Sequence, residues 1–414
     1  MPHHNYHRVH ARLRGVRFKT HATAQFPAGT FTPMQVLQAY GFTQGMFKDV
    51  TAAPIGIGSL GGGVVPSDVT NLVAAWNIVR PNITIHAVGG AANDPVSDQN
   101  SNVENMLDIA MIAAAISWLT EKAANITFTI GPNAGNGMAL VTQDLVASGC
   151  KVASWSWGSA ASEWDPNDRA ALAAAFVAAI KAGCTFCAAA GDNSIDDSTS
   201  EPSADYPCSD PNVWAVGGTN LQVNANGSYA NESAWGDGNP GDEGGGGGFD
   251  PNTPEPAWQA GIVSDASQGR GVPDSSANAD PNSGYQISAN NAWTVVGGTS
   301  AASPLTAALI AIAKGSDGQT AGLLSELFYA ERETAFRDVL TGSNGDPATA
   351  GWDPATGLGS PNGASFFAAL GKPAPVPAHP SAPSAPTATP KPPQALTLAQ
   401  AQAALAKGWA LEAR

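Results

Sequence analysis

Histidine is nearly missing from the body of this 414-residue chain. Of the seven present, His3, His4, His7, His10 and His21 lie near the N-terminus and His379 lies in a proline-rich stretch. His86 alone falls in the body, with no acidic neighbour close in sequence, so chemistry built on an imidazole base has a single candidate. Charge is scarce as well: 13% of residues are charged, Lys and Arg are sparse between residues 22 and 371, and the net charge is −15. Such a surface repels nucleic acid and anionic membranes. It also carries little positive charge in acid, which suits an acidic setting. No stretch reaches the roughly 18 consecutive apolar residues of a membrane span, so none is expected. The N-terminal MPHHNYHRVHARLRGVRFKTHA has no hydrophobic signal core, so export by the common route finds no support in it. Only four cysteines occur, Cys150, Cys184, Cys187 and Cys208. Cys184 and Cys187 have a metal-like or redox-like spacing, but they sit in the apolar run AGCTFCAAAG. That run reads as a buried strand, where residues three apart face opposite ways, so buried thiols are favoured over a disulfide to Cys150 or Cys208 or a metal pair.

What is present is apolar and rich in turns: 43% hydrophobic residues, 46 Gly and 31 Pro. Residues 1–30 read as a basic, irregular tail, and a body spans 31–371. The segments APIGIGSLGGGVV, ITIHAVGG, ITFTIGP, CKVASWSWG and CTFCAAAGD read as strands. SDVTNLVAAWNIV, SNVENMLDIAMIAAAISWLTEKA, DRAALAAAFVAAIKAG and SAASPLTAALIAIAKG read as helices. This alternation predicts an α/β fold with a mostly parallel central sheet flanked by helices. Residues 220–295 are polar and turn-rich, with GGGGG at 244–248. Residues 372–393 form a Pro/Ala-rich extended linker, and 394–414 are compatible with a short amphipathic helix whose partner, if any, is open.

Four places invite chemistry. Ser300 in GGTSAASP opens the last body helix. Glu104 and Asp108 are spaced i,i+4 on an otherwise apolar helix, so they share one face. Two acids there are costly unless used or neutralised, although acids near a helix start also favour its dipole, and Asn102 is a candidate cap. Asp192 follows a strand at the carboxyl edge of the sheet, where sites collect, though an Asx turn would look the same. Ser156, Trp157 and Gly158 end a strand that can pair with an extended peptide; the other reading of Trp157 is core packing. GIGSLG at 56–61 fits G-x-G-x-x-G, but the glycines run on through Gly63 before any helix and NITIHAV ends without a carboxylate, so a dinucleotide site is rejected.

Taken in order, FTPMQVLQAYGF, SLGGG at 59–63, Glu104-x-x-x-Asp108, SWSWG at 154–158, AAAGD at 188–192, WAVGGT at 214–219, GVPDSSANADPNSGY at 271–285, GGTSAASP at 297–304 and GWDPATGLGSPNG at 351–363 resemble the sedolisin (serine-carboxyl) peptidases, which include the kumamolisins and tripeptidyl peptidase I. The resemblance covers about residues 31–362 and implies a subtilisin-like three-layer fold. It implies that Ser300 attacks a peptide carbonyl, Glu104 is the general base, Asp108 hydrogen-bonds Glu104, and a protonated Asp192 donates to the oxyanion beside the Ser300 N–H. It implies one structural Ca2+, held by the Asp338 and Asp353 side chains and the carbonyls of Val339, Thr349 and Gly351. The family usually has glycine where Thr349 stands, but a carbonyl is all that is needed there.

Two departures stand out. Ser59 replaces a glutamate that extends the carboxylate network in kumamolisins, and the family's long N-terminal prodomain has no counterpart in residues 1–30. The resulting expectation is a monomeric, acid-active endopeptidase acting on polypeptides, in an extracellular or acidic setting. The alternatives are a tripeptidyl aminopeptidase or a catalytically silent peptide binder.

Overall fold

The computed structural model describes residues 29–370 except 198, 200, 201, 238–242, 264–265 and 316–321, together with the backbone of two N-terminal strands, Arg12–Leu13 and Arg17–Thr20. The linker and the C-terminal segment read from the sequence lie outside the described residues.

An eight-stranded sheet runs through the middle. Its path is Tyr229–Ala234, Val213–Val223, Thr185–Ala189, Val152–Trp155, Ile55–Ser59, Asn125–Ile130 and Asn82–Ala87, with Ser275–Asn278 also paired to Val213–Val223. All pairings are parallel except that of Tyr229–Ala234. Parallel strands buried on both faces need apolar or small residues throughout, and Ile55–Ser59 and Thr185–Ala189 are buried at every position.

Two hydrophobic cores flank the sheet. One holds Ile55, Ile57, Cys187 and Val216 against the helices Gln99–Thr120 and Thr299–Gly315. The other holds Ala153, Trp155, Cys184, Phe186 and Ala188 against Gly137–Ala147 and Pro166–Lys181. Cys184 and Cys187 thus enter opposite cores, as the strand reading requires. All four cysteines are buried free thiols, and desolvation pushes Cys150 up to about 11 and Cys184 up to about 12.

Gln99–Thr120 is apolar on all sides because it is a core helix. It is long and apolar enough to cross a membrane, but 94% of its most apolar window is buried inside the protein. Asp98 caps it, accepting from Ser101 N at 3.0 Å; Asn102, the cap expected from sequence, instead binds the Gly63 N–H and the Pro95 carbonyl. Thr299–Gly315 packs directly on this helix. It follows the strand Ala292–Gly297 through Gly298, whose φ of +123° only glycine adopts readily.

Two sequence expectations need correction. Residues 220–295, read as turns, contain Tyr229–Ala234, Arg270–Val272, Ser275–Asn278, Tyr285–Ala289 and Ala292–Gly297 as strands. The tail, read as irregular, contributes two paired strands: Arg12–Leu13 antiparallel to Trp157–Ala160, and Arg17–Thr20 antiparallel to Ala292–Gly297. Ser275–Asn278 and the two tail strands are made by distant partners rather than by local propensity, whereas Tyr285–Ala289 and Ala292–Gly297 form a hairpin across Asn290 and Asn291, both at positive φ.

Candidate active site

The packing of the two helices brings the Ser300 hydroxyl beside Glu104. Glu104 and Asp108 come from one, Ser300 from the other, and Asp192 from the loop after Thr185–Ala189. Glu104, Asp192 and Ser300 are 0% exposed and Asp108 is 1% exposed, so the acids do not face bulk water.

Ser156 sits between the sheet strand Val152–Trp155 and the strand Trp157–Ala160. Its hydroxyl donates to Asp108 Oδ1 at 2.8 Å, and the Ser300 carbonyl lies 3.5 Å from the same hydroxyl. The partner expected for Asp108 was Glu104. The structure adds Ser156 as a partner of Oδ1, because the strand end delivers a hydroxyl directly to Asp108. No hydrogen bond of ordinary geometry reaches either Glu104 oxygen, although the Ser300 and Ser156 hydroxyls lie beside it.

Burial dominates the electrostatics. Desolvation, and then the nearby Asp108 charge, hold the Glu104 carboxyl well above its ordinary value, with Asp192 adding to the rise. The Ser300 and Ser156 hydroxyls pull the other way. Asp108 is also held well above its ordinary value by desolvation, against the Ser156 hydrogen bond. A pair of this kind shares protons and titrates as a unit.

Asp192 is fixed to Thr299, the residue before Ser300. Its Oδ1 accepts from Thr299 N at 2.8 Å and from Thr299 Oγ1 at 2.7 Å. Thr299 Oγ1 also lies 3.1 Å from both Gly191 N and Gly191 O. The glycine run closes over this turn, with Gly246 N donating to Gly191 O at 2.7 Å. A Cβ on Gly246 would stand 1.9 Å from Ala190 O, so the run is glycine because two backbones touch there. Sequence reasoning did not single out Thr299, although its place next to Ser300 was the available signal.

Trp157 and Gly158 present backbone to an extended partner: Leu13 pairs opposite Trp157 and Arg12 opposite Gly158. The core-packing reading of Trp157 also holds, since its side chain is buried in the second core. Ser59 is buried and binds Asn105 Oδ1 at 2.7 Å and Gly61 O at 3.1 Å, bracing the SLGGG loop. His86 lies elsewhere, 2.8 Å from Asp144.

The residues read as calcium ligands share one loop. Asp338 Oδ2 accepts from Gly351 N, and Asp353 Oδ2 accepts from Thr349 N, each at 2.8 Å. Val339 is buried beside Asp338, whereas Thr349 and Gly351 are exposed.

The chain matches the subtilase family over residues 73–356. Kumamolisin of Bacillus sp. (strain MN-32) is 35% identical to it over 384 residues, which take in 88% of this chain and 68% of kumamolisin. The chain belongs to the sedolisin family of serine peptidases. Sedolisin of Pseudomonas sp. (strain 101) is 29% identical over 349 residues, and the match spans 75% of this chain and 58% of that protein. The solved structure of Pseudomonas sedolisin, a serine-carboxyl proteinase complexed with two molecules of pseudo-iodotyrostatin, superposes with a TM-score of 0.74 at 26% identity. It covers 83% of this sedolisin-family chain and 98% of its own. The subtilisin-like architecture read from the sequence is therefore the observed one.

Proposed function

We propose that this chain is an acid-active endopeptidase that cleaves peptide bonds through an acyl-enzyme on Ser300. The observation that carries the reading is the burial of Glu104 and Asp108 beside the Ser300 hydroxyl, in a body whose sole histidine, His86, is engaged by Asp144.

In this reading Glu104 takes the Ser300 proton as Oγ attacks the scissile carbonyl. Collapse of the tetrahedral species breaks the C–N bond, and Glu104 returns the proton to the leaving amine. Water then attacks the ester by the same route in reverse order. Asp108 holds the pair's remaining proton. Asp192, anchored through Oδ1 to Thr299, presents its acid form to the oxyanion together with the Ser300 N–H. A carboxyl donates only while protonated, so this role requires acid.

The Trp157–Gly158 edge, with Ser156 before it, aligns the substrate as an extended strand. The antiparallel pairing of Arg12–Leu13 on that edge supports this, because it is the geometry an extended peptide needs. The acid requirement favours an extracellular or acidic setting.

One Ca2+ would be held by Asp338, Asp353 and the carbonyls of Val339, Thr349 and Gly351. The donor set is all oxygen, as this hard cation prefers. Both carboxylates reach the same loop, and burial pushes Asp353 up to about 6, a desolvation cost that a bound cation offsets. When bound, the ion supplies structural bracing of the loop that follows the active-site strands.

The test is digestion of an unstructured protein across acid and neutral pH. Internal cuts in acid, absent in Ser300→Ala, are expected. Released tripeptides would make it an exopeptidase. Activity that survives Ser300→Ala, or peaks at neutral pH, overturns the reading.

A further inference from the structure

Ser156 is fully buried and stands at the break between the central sheet and the strand Trp157–Ala160, so its backbone is held from both sides. Three acceptors face its single hydroxyl proton, and the Glu104 carboxyl, though beside it, is reached by no bond of ordinary geometry. Asp108 Oδ1 is 2.8 Å away and the Ser300 carbonyl 3.5 Å away. The first has the ordinary length of an O–H···O bond and the second lies at the outer limit, so the proton goes to Asp108. Pro304, four residues on, has no N–H to give that carbonyl.

The remaining oxygens complete the picture. Asp108 Oδ2 and both Glu104 oxygens are buried without a hydrogen-bond partner. Buried carboxyl oxygens with no donor are costly unless they hold a proton themselves. The two carboxyls lie one helical turn apart on one face, so one proton shared between them relieves both.

We propose that Ser156 is a positioning residue for the dyad: by donating to Asp108 Oδ1 it reserves Oδ2 as the oxygen that carries the proton Asp108 shares with Glu104. The proposal rests on the peptidase reading above and adds to it. It makes one short segment serve twice, with the 156–158 backbone aligning the substrate and the Ser156 side chain setting the protonation pattern of the base. The ionisable groups around Asp108 are Glu104 on its own helix and, beyond Glu104, Asp192 from the neighbouring strand end.

Removing the donor withdraws an interaction that favours ionised Asp108, so the dyad should take up its proton at higher pH. In Ser156→Ala the acid limb of the pH–kcat/KM profile of the full chain should move up by about one pH unit. With KM for a defined peptide unchanged, kcat near the optimum should fall roughly tenfold. Ser156→Thr, which keeps the hydroxyl, should restore the limb. An acid limb that does not move, or Ala and Thr variants that behave alike, overturns the proposal.

A second measurement does without turnover. Infrared difference titration of the protonated-carboxyl stretch in Ser300→Ala, with and without Ser156→Ala, should show the dyad midpoint rising when the hydroxyl is removed. Identical midpoints overturn the assignment. A midpoint that moves in a chain that cuts no peptide would sustain Ser156 as the positioning group and sink the peptidase reading instead.

Discussion

Four side chains on two helices and one strand end carry the chemistry proposed here, and each has a definite environment. Glu104 is the most telling, because a carboxyl 0% exposed in an apolar helix must either be neutral or have work to do. Glu104→Gln should lower kcat by about a thousandfold, in the range expected for loss of a general base. Its melting temperature should hold or rise, since a neutral amide replaces a desolvated acid; a large fall in melting temperature would show that the carboxyl is structural. These residues were legible in the sequence because a helix repeats every 3.6 residues and two acids at i,i+4 must share a face. The hydrogen-bond partner of Asp108 was not legible. Ser156 is 48 residues further along the chain, and only the fold brings its hydroxyl to 2.8 Å.

The elements are placed by caps, glycine contacts and helix packing. Asp98 caps the helix that carries Glu104, so Asp98→Ala should cost about 1 kcal/mol in urea unfolding, the usual value for a lost N-cap. Gly246→Ala is the harsher change. Its methyl would meet the Ala190 carbonyl at 1.9 Å, and that backbone leads directly into Asp192. Activity should fall far more than in Asp98→Ala, and stability by about 2 kcal/mol or more, as for other overpacked sites. Wild-type kinetics in Gly246→Ala would mean that the Gly191–Asp192 turn tolerates displacement. The apolar strands and long helices were readable from period and composition. The strands between residues 220 and 295 were not: Ser275–Asn278 reads SSAN, a turn-like composition that becomes a strand only because Val213–Val223 offers a parallel edge.

Over the whole molecule, buried acids set the pH dependence of stability. Desolvation raises the folded-state pKa of Glu104, Asp108, Asp210 and Glu232 above their ordinary values. A group raised on folding contributes stability in full below its unfolded pKa, about 4 for these acids, and loses it as pH rises through the folded value. The melting temperature should therefore be higher near pH 4 than near pH 7.5, and the opposite order would contradict the burial of these groups. Chelation should act at the same scale. Removing Ca2+ should lower the melting temperature by roughly 5 °C or more, and readdition should restore it. Asp353→Asn should remove that response to calcium, and an equal response in both chains would place the ion elsewhere.

Chain order and side-chain chemistry, which need no coordinates, determined the alternation of strands and helices, the shared face of Glu104 and Asp108, the place of Ser300 at the opening of a helix and the shortage of imidazole in the body. Proximity was decided by the tertiary structure alone. The core packs two helices of distant sequence position against each other, the Thr299 amide takes hold of Asp192, and a strand break hands the Ser156 hydroxyl to Asp108. The physical reason is that helix periodicity acts within a few residues, whereas desolvation and hydrogen bonding depend on which distant segments the packed core brings together.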